Sequence, residues 1–232
     1  MLFRCITAFL MFFLVIPSLS AAIVITGTRV IYPAGEREVT VKIDNRGTAP
    51  VLAQSWMDDG DQTAMPETAK APFALTPPVS RINPGKGQTL RLMYTGDSLP
   101  ADRESVFWLN VLEVPPVNKE KQNQLQMAFR SRIKVFFRPA GLSGNANLAG
   151  QSVTWRKVGT GLEGSNPTPY YVSLANIAED KEGKRLVTEG GMIPPGGKAL
   201  FPLKKNQGLN VIYPSYINDY GGIKPIQQAV SL

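Results

Sequence analysis

The chain is divided into short segments in which apolar and polar residues alternate, and these segments end at glycine- or proline-containing turns. Residues 38–43 place Val39, Val41 and Ile43 on one face and then reach the turn sequence 44–47. A period of two is typical of an extended strand, and many short strands between such turns predict a β-sandwich or barrel. No long segment has helical periodicity. Further strands are predicted at 23–25, 28–32, 51–56, 73–75, 89–94 and 105–112.

A second group of strand segments follows a stretch of small residues between Ala140 and Gly150. Such a stretch is typical of a linker. The sequence therefore predicts two β domains, 22–140 and 141–232. Turns are expected at Gly190-Gly191 and at 194–197. The strands predicted in the second domain are 153–158, 170–174 and 199–203, with weaker candidates at 210–213 and 228–230.

The first 21 residues have the composition of a secretory signal peptide. Arg4 supplies a positive start, residues 9–15 are apolar, and small residues follow as far as Ala22. Cleavage after Ser20, Ala21 or Ala22 fits this pattern. The alternative, a membrane anchor, is disfavoured because the apolar run is shorter than the roughly 20 residues that a span requires. We expect an exported protein that does not insert into a membrane.

The residue types that most enzymes and metal sites need are scarce. The chain has no histidine, and its single cysteine, Cys5, leaves with the signal peptide. Histidine-based acid–base catalysis, Ser-His and Cys-His nucleophiles and most zinc sites are therefore excluded. The mature chain also lacks the thiols for a disulfide, although an exported protein would meet conditions that permit one. We expect no enzyme, no cofactor and no metal, and an exported hydrolase ranks last among the alternatives.

The charge distribution gives little reason to expect a nucleic-acid partner. The formal net charge is +7, and Arg4 carries one of these charges away with the signal peptide. The remaining basic residues are scattered, with no block of five or six like charges. A solvated surface is the favoured interpretation, and we expect no binding of nucleic acid.

Residues 125–137 form the longest alternating segment of the chain. Apolar residues fall on odd positions almost throughout, beginning with Leu125, Met127 and Phe129, whereas Lys134 falls on the even face. A strand of 13 residues is about twice the usual length of 5–6. Such a strand is either buried along its whole length or kept available for a partner, and the alternation alone leaves both interpretations open.

Two local features carry smaller expectations. Trp56 and Trp108 are predicted to belong to the core, because large aromatic side chains are mostly buried. The prolines at 77 and 78 follow Thr76, and this segment leaves the cis or trans state of its peptide bonds open, with trans as the default.

The residues from Leu99 to Pro116 resemble the signature of periplasmic pilus-assembly chaperones, the PapD-like family. Residues 132–139, 166–171 and 216–222 are similar to further segments of the same family, so the resemblance spans essentially the whole mature chain. It implies two immunoglobulin-like sandwiches at an angle with a cleft between them.

The resemblance also implies roles for individual residues. Arg29 and Lys134 would lie at the base of the cleft and hold the C-terminal carboxylate of a pilus subunit. Leu125, Met127 and Phe129 would lie on an exposed edge strand and enter a groove on that subunit. Such strand donation is known as donor-strand complementation.

An interdomain charge network is implied for Glu104, Arg138 and Asp219. Some relatives carry a cysteine pair in the second domain, which this chain lacks. The segment 117–124 is short, which resembles the branch of the family whose clients are pilus-like rather than thin capsular fibres.

The implied function is that of a periplasmic chaperone that stabilises and caps pilus subunits and delivers them, without ATP, to an outer-membrane usher. The sequence leaves open whether the free protein covers its apolar edge by forming a dimer. A secreted structural or adhesive β-sandwich is the alternative from a different class, and it would give Arg29 no role.

Overall fold

The computed structural model describes residues 22–96, 98–116, 126–204 and 209–231. The predicted signal peptide, Leu125 and the short segment 117–124 lie outside these described residues. In the described part, the chain forms strands and one short 3₁₀ helix, and no helix there is long and apolar enough to cross a membrane. The strands are β1 (Ile23–Ile25), β2 (Arg29–Pro33), β3 (Val39–Asn45), β4 (Val51–Asp58), β5 (Phe73–Thr76), β6 (Val79–Ile82), β7 (Gly87–Tyr94), β8 (Ser105–Val114), β9 (Phe129–Arg138), β10 (Thr154–Val158), β11 (Gly161–Ser165), β12 (Val172–Ala178), β13 (Leu186–Ile193), β14 (Lys198–Pro202), β15 (Val211–Ile217), β16 (Ile223–Pro225) and β17 (Gln228–Ser231).

The first nine strands form two facing sheets. One has the order β1-β3-β7-β5 and the other the order β2-β9-β8-β4-β6. Their inward side chains share one core that includes Ile43, Leu90, Leu92, Leu109 and Val135, all fully buried. Alternation of buried and exposed residues along β3 and β7 matches the period-two pattern in the sequence, because only one face of each strand packs on the core.

The remaining strands form a second unit with its own core. Its strand order is β13-β12-β15-β17-β10-β11-β14, and β16 pairs with β15. Trp155 of β10, Leu162 of β11, Ile193 of β13 and Ile212 of β15 pack in a single buried cluster. Strands from both ends of the order therefore enclose the same core, as in a sandwich. The predicted all-β class is confirmed.

A short 3₁₀ helix, Ala146–Ser152, lies in the segment that the sequence assigned to a linker. Asn145 caps it, because the Asn145 side chain accepts a hydrogen bond from the backbone N–H of Asn147 at 2.9 Å. Gly150 is buried against the Tyr216 ring, and a Cβ at position 150 would lie 2.5 Å from that ring. The connection is thus packed on the second unit.

Two local expectations are wrong. The long strand begins at Phe129, so residues 126–128 are not part of it. The pair Gly190-Gly191 lies inside β13 rather than in a turn. The isomer of the Thr76–Pro77 bond, which the sequence left open, is cis, a geometry that is far less costly before proline than elsewhere.

Candidate functional site

The open edge of β9 defines the candidate site. Strand β8 accompanies β9 along its whole length, from the pair Glu113–Phe129 to the pair Ser105–Phe137. On the other side β2 runs parallel to β9, but its pairing starts only at Arg29 opposite Lys134. Among the described residues, Phe129–Ile133 therefore have a neighbouring strand on one side only. An edge of this kind presents unpaired backbone groups that another chain can pair with.

Two cations lie where this open edge ends. Arg29 and Lys134 are directly opposite each other in the parallel register, so their side chains share one face. The Nη1 atom of Arg29 donates to the carbonyl oxygen of Ile217 at 3.1 Å, and the guanidinium lies 5.7 Å from the Phe136 ring centroid. Its Nε atom is buried and has no hydrogen-bond partner in the part of the chain that the structure describes. Within the described residues, no ion-pair or hydrogen-bond partner for the Lys134 ammonium is found.

The electrostatics of the two cations favour an added anion. Burial lowers the pKa of Lys134, and the charge of Arg29 lowers it further. Burial also lowers the pKa of Arg29, although the charges of Asp219 and Glu104 oppose this shift. Two like charges that are partly desolvated and adjacent are each stabilised when a carboxylate approaches. Metal ions would be repelled here, and no cluster of potential metal ligands exists among the described residues.

An open cavity of about 490 Å³ surrounds the cations. Its walls come from both β units, which makes it a cleft between them. The first unit contributes Trp108 and Arg132 beside the two cations, and the second contributes Ile217 and Ile223. The cleft thus combines a cationic base with apolar side walls.

The apolar residues predicted for the edge strand have a clear placement where they are described. Met127 is 47% exposed, and Phe129 is half-buried at the first position of β9. Val135 and Phe137, which share the parity of Phe129, are buried in the core. The odd face of β9 therefore runs from the core of the first unit outward beyond its end. Leu125 lies outside the described residues.

A charge network links the two β units behind the cleft. Arg138, at the end of β9, donates from Nη1 and Nη2 to the two carboxylate oxygens of Asp219 at 2.8 and 2.9 Å. Its Nε donates to Glu104 at 2.6 Å. Glu104 also accepts the backbone N–H of Tyr171 at 2.8 Å. All three residues named by the resemblance are thus brought together, with Arg138 in a bidentate pair.

The network is largely withdrawn from water. Glu104 is 4% exposed, and burial raises its pKa, whereas Arg138 and the Tyr171 N–H act in the opposite direction. Burial lowers the pKa of Arg138, but Asp219 and Glu104 outweigh it and the net shift is upward. An aromatic contact accompanies this charge network, since the ring centroids of Phe136 and Tyr171 lie 5.9 Å apart.

Replacing Asp219 with alanine is expected to lower the free energy of unfolding by about 1.5–3 kcal/mol, the usual worth of hydrogen bonds to charged groups. Urea unfolding followed by tryptophan fluorescence measures this loss. The control is Asp102→Ala, because the side chain of Asp102 is 76% exposed and its ion pair with Arg103 is long, at 3.8 Å. Equal stability of the two variants would contradict a structural role for the Asp219–Arg138 pair.

The sequence did not identify every residue of the cleft. Trp108 was assigned to the core, but it is half-buried and lies 4.5 Å beneath the Arg132 guanidinium in the cleft wall. Trp56 is buried as predicted, at 6% exposure. Ile223 could not be predicted from the sequence, because a single isoleucine after a turn has no distinctive pattern. The alternation of residues 125–137 did indicate that Arg132 shares a face with Lys134.

Family models match both halves of the chain. The model described as "Pili and flagellar-assembly chaperone, PapD N-terminal domain" matches residues 22–143. The model "Pili assembly chaperone PapD, C-terminal domain" matches residues 149–228. Together they cover nearly all of the described structure.

Named relatives and solved structures agree with this match. The chaperone protein FimB/FhaD of Bordetella pertussis is 47% identical over 222 residues, which cover 93% of this chain and 91% of the relative. The probable fimbrial chaperone YadV of Escherichia coli is 47% identical over 217 residues and 87% of each chain.

The crystal structure of a YadV chaperone superposes with a TM-score of 0.78 at 43% identity, covering 90% of this chain and all of that one. A Salmonella enterica complex of SafA pilin with the SafB chaperone superposes with a TM-score of 0.79 at 29% identity, covering 90% and 97%. These matches confirm the two immunoglobulin-like domains. The chain is a member of the PapD-like family of pilus-assembly chaperones.

Proposed function

We propose that this protein binds pilus subunits in the periplasm by lending them the open edge of β9 and by holding their C-terminal carboxylate between Arg29 and Lys134. One observation carries the proposal: two partly buried cations, available for an anion, lie at the boundary between the open half of β9 and the half that pairs with β2. A C-terminal carboxylate fits this position, because it is an anion at the end of an extended chain. Arginine and lysine can each donate to it in charge-assisted hydrogen bonds.

The position of the cations also fixes the direction of the incoming strand. A strand that pairs with Phe129–Ile133 would lie on the same side of β9 as β2, next to the N-terminal end of β2 at Arg29. If its carboxylate ends at Arg29 and Lys134, its chain must run toward those residues and hence parallel to β9. Strand β2 follows it along the same side of β9 and runs in the same direction.

The alternating side chains of the edge supply the second part of the interaction. We propose that Met127 and Phe129, together with Leu125, fill a groove that the subunit leaves open. Burial of each is worth about 1.5–3 kcal/mol before ordering costs. A slip of one residue would turn all of them away from the groove, so the carboxylate contact sets the register and the apolar residues supply most of the affinity.

Further elements complete the proposal. Residues 1–21 direct export and are removed, with cleavage between Ser20 and Ala22. The boundary between the domains 22–140 and 141–232 lies near residue 140. The network of Glu104, Arg138 and Asp219 holds the two domains at the angle that forms the cleft. The protein has no catalytic role, and it passes its subunits to an outer-membrane usher, with exchange favoured because the finished fibre is the more stable product.

Co-expression with an exported pilus subunit tests the proposal. Periplasmic extracts should contain the subunit in complex with this protein, whereas extracts without the protein should contain little soluble subunit. Size-exclusion chromatography of both extracts distinguishes the alternative. A structural or adhesive β-sandwich would self-assemble or bind glycans, and subunit yield would not depend on it. The free protein run alone shows whether two copies cap each other's edges.

The lowered pKa of Lys134 predicts a pH dependence of subunit binding. A bound carboxylate raises this pKa, so binding takes up a proton at any pH between the free and bound values. Affinity should therefore fall as the pH rises through the free Lys134 pKa. In Lys134→Arg the decline should move to higher pH, because arginine stays protonated. Isothermal titration from pH 7 up to and beyond 10.5, the ordinary lysine pKa, measures both curves, and affinities that do not change over this range would contradict the assignment.

A further inference from the structure

The open half of β9, residues Phe129–Ile133, must keep its strand conformation although it lacks a second neighbouring strand among the described residues. In the described part of the chain, residues Phe129–Ile133 have a neighbouring strand on one side only, yet the proposed function needs them extended and in one register before a subunit arrives. A strand without a second neighbour is prone to local opening. The apolar contacts on its odd face weaken toward Met127, which is exposed. Some other contact must therefore hold this half, and its even face provides one.

The even face of the open half carries two arginines that converge on one buried carboxylate. Asp58, the last residue of β4, has no exposed surface. Arg132 donates to it from Nε at 3.1 Å and also from Nη2, and Arg130 Nη2 lies 3.7 Å away. The N–H of Gly60 adds a hydrogen bond at 2.8 Å. Both arginines belong to β9, whereas Asp58 lies two strands away in the same sheet.

Asn110 of β8 connects these groups across the middle strand. Its Nδ2 donates to Asp58 at 2.6 Å, and its Oδ1 accepts from Arg130 Nε at 2.8 Å and Nη2 at 2.6 Å. Asn110 is fully buried. Arg130 also donates to the carbonyl oxygen of Gln62 at 2.9 Å. Three adjacent strands are thus joined by side chains as well as by their backbones.

Two tryptophans support the planes of the two guanidinium groups. Arg130 lies 4.9 Å from the Trp56 ring centroid and Arg132 lies 4.5 Å from that of Trp108. Stacking and hydrogen bonding together leave each arginine a single favourable orientation. Burial opposes the charge of Asp58, but hydrogen bonds from Arg132, Asn110 and Gly60 outweigh it and lower its pKa.

We propose that Asp58 is a positioning residue that holds the open half of β9 in register for the incoming strand. A slip of β9 by one residue would turn Arg130 and Arg132 to the opposite face and leave Asp58 as an unpaired buried charge, which is strongly unfavourable. The network therefore excludes the register that would misdirect Met127 and Phe129. This inference rests on the proposed function for its purpose, but its structural part is independent of any subunit.

Hydrogen–deuterium exchange of the free, mature protein tests the structural part. In Asp58→Asn, the β8-bonded amides within Phe129–Ile133 should exchange about tenfold faster or more. Amides of Val135–Phe137, which lie between two strands, should be unchanged. The matched control is Asp44→Asn, since Asp44 pairs with Lys42 at 3.1 Å in the other sheet. If Asp58→Asn does not fold, Arg130→Met serves instead, with a smaller increase in the same segment.

Acceleration spread evenly over β4, β8 and all of β9, or none at Phe129–Ile133, would overturn the inference. A second arm measures the association rate with a peptide that carries the C-terminal strand of the subunit that co-purifies with this protein. Asp58→Asn should slow association at least severalfold, whereas Lys134→Met should lose affinity with no change in exchange at Phe129–Ile133. A mobile strand that binds as fast as the wild type would also overturn the positioning role. If the wild type binds no subunit, the proposed function fails while the exchange result still stands.

Discussion

Replacing Lys134 with methionine is expected to weaken subunit binding by about 2–5 kcal/mol, or roughly 30- to 5,000-fold, while the protein stays folded. The loss is large because the subunit carboxylate would enter a partly desolvated site with only Arg29 to receive it. The fold should not suffer, because burial and the charge of Arg29 already disfavour the protonated lysine. A methionine at this position removes that cost.

Two measurements on the same preparation check this expectation. Thermal unfolding should show a midpoint within a few degrees of the wild type, and titration with a peptide of the subunit's C-terminal strand should show the loss of affinity. Lys42→Met is the matched control, because the Lys42 side chain is 61% exposed and lies on the opposite sheet. A Lys134→Met protein that binds subunit as tightly as the control would refute the anchor.

Introducing glutamate at both Met127 and Phe129 is expected to abolish capture of subunits. Two apolar side chains that each contribute about 1.5–3 kcal/mol would be lost, and two charges would have to enter an apolar groove. The affinity should fall by roughly 100- to 10,000-fold or more. Pull-down of co-expressed subunit, followed by titration of the purified variant, measures the loss.

Parity supplies the control for this experiment. Ala128 lies between the two residues, is exposed, and has the opposite parity in an extended strand. Ala128→Glu should leave binding within a few-fold of the wild type, because in the extended bound strand that we propose its side chain would point away from the groove. Comparable losses in the Ala128 variant and the double variant would show that the strand does not dock by alternate side chains.

The strength of the alternation largely decided which strands the sequence could reveal. Segments with one buried face, such as β3 and β7, show a clear period of two and were predicted. Strand β13 was missed because it contains Gly190-Gly191, which normally indicate a turn. Glycine is required there for a tertiary reason, since a Cβ on Gly190 would lie 2.1 Å from the carbonyl oxygen of Leu174. That neighbour lies in another strand, β12, and no local pattern reveals it.

The sequence likewise indicated some residues of the candidate site and gave no sign of others. Arg29 and Lys134 were named through a family resemblance, because a lone cation in an alternating strand is usually a solvated charge. Their register pairing and the start of β2 at that point emerge only from the folded sheet. Asp58 gave no signal at all, because its partners Arg130 and Arg132 are more than 70 residues away in sequence. Strand parity predicts faces, whereas contacts between distant strands depend on topology.

A comparison of two peptides tests the central claim most directly. The peptides carry the C-terminal strand of the subunit that co-purifies with this protein, one ending in a free carboxylate and the other in an amide. Titrated into the wild-type protein, the acid should bind at least roughly 30-fold more tightly than the amide, and this advantage should shrink in Lys134→Met. Equal affinity of the acid and the amide for the wild-type protein would contradict the account, because Arg29 and Lys134 would then hold no carboxylate.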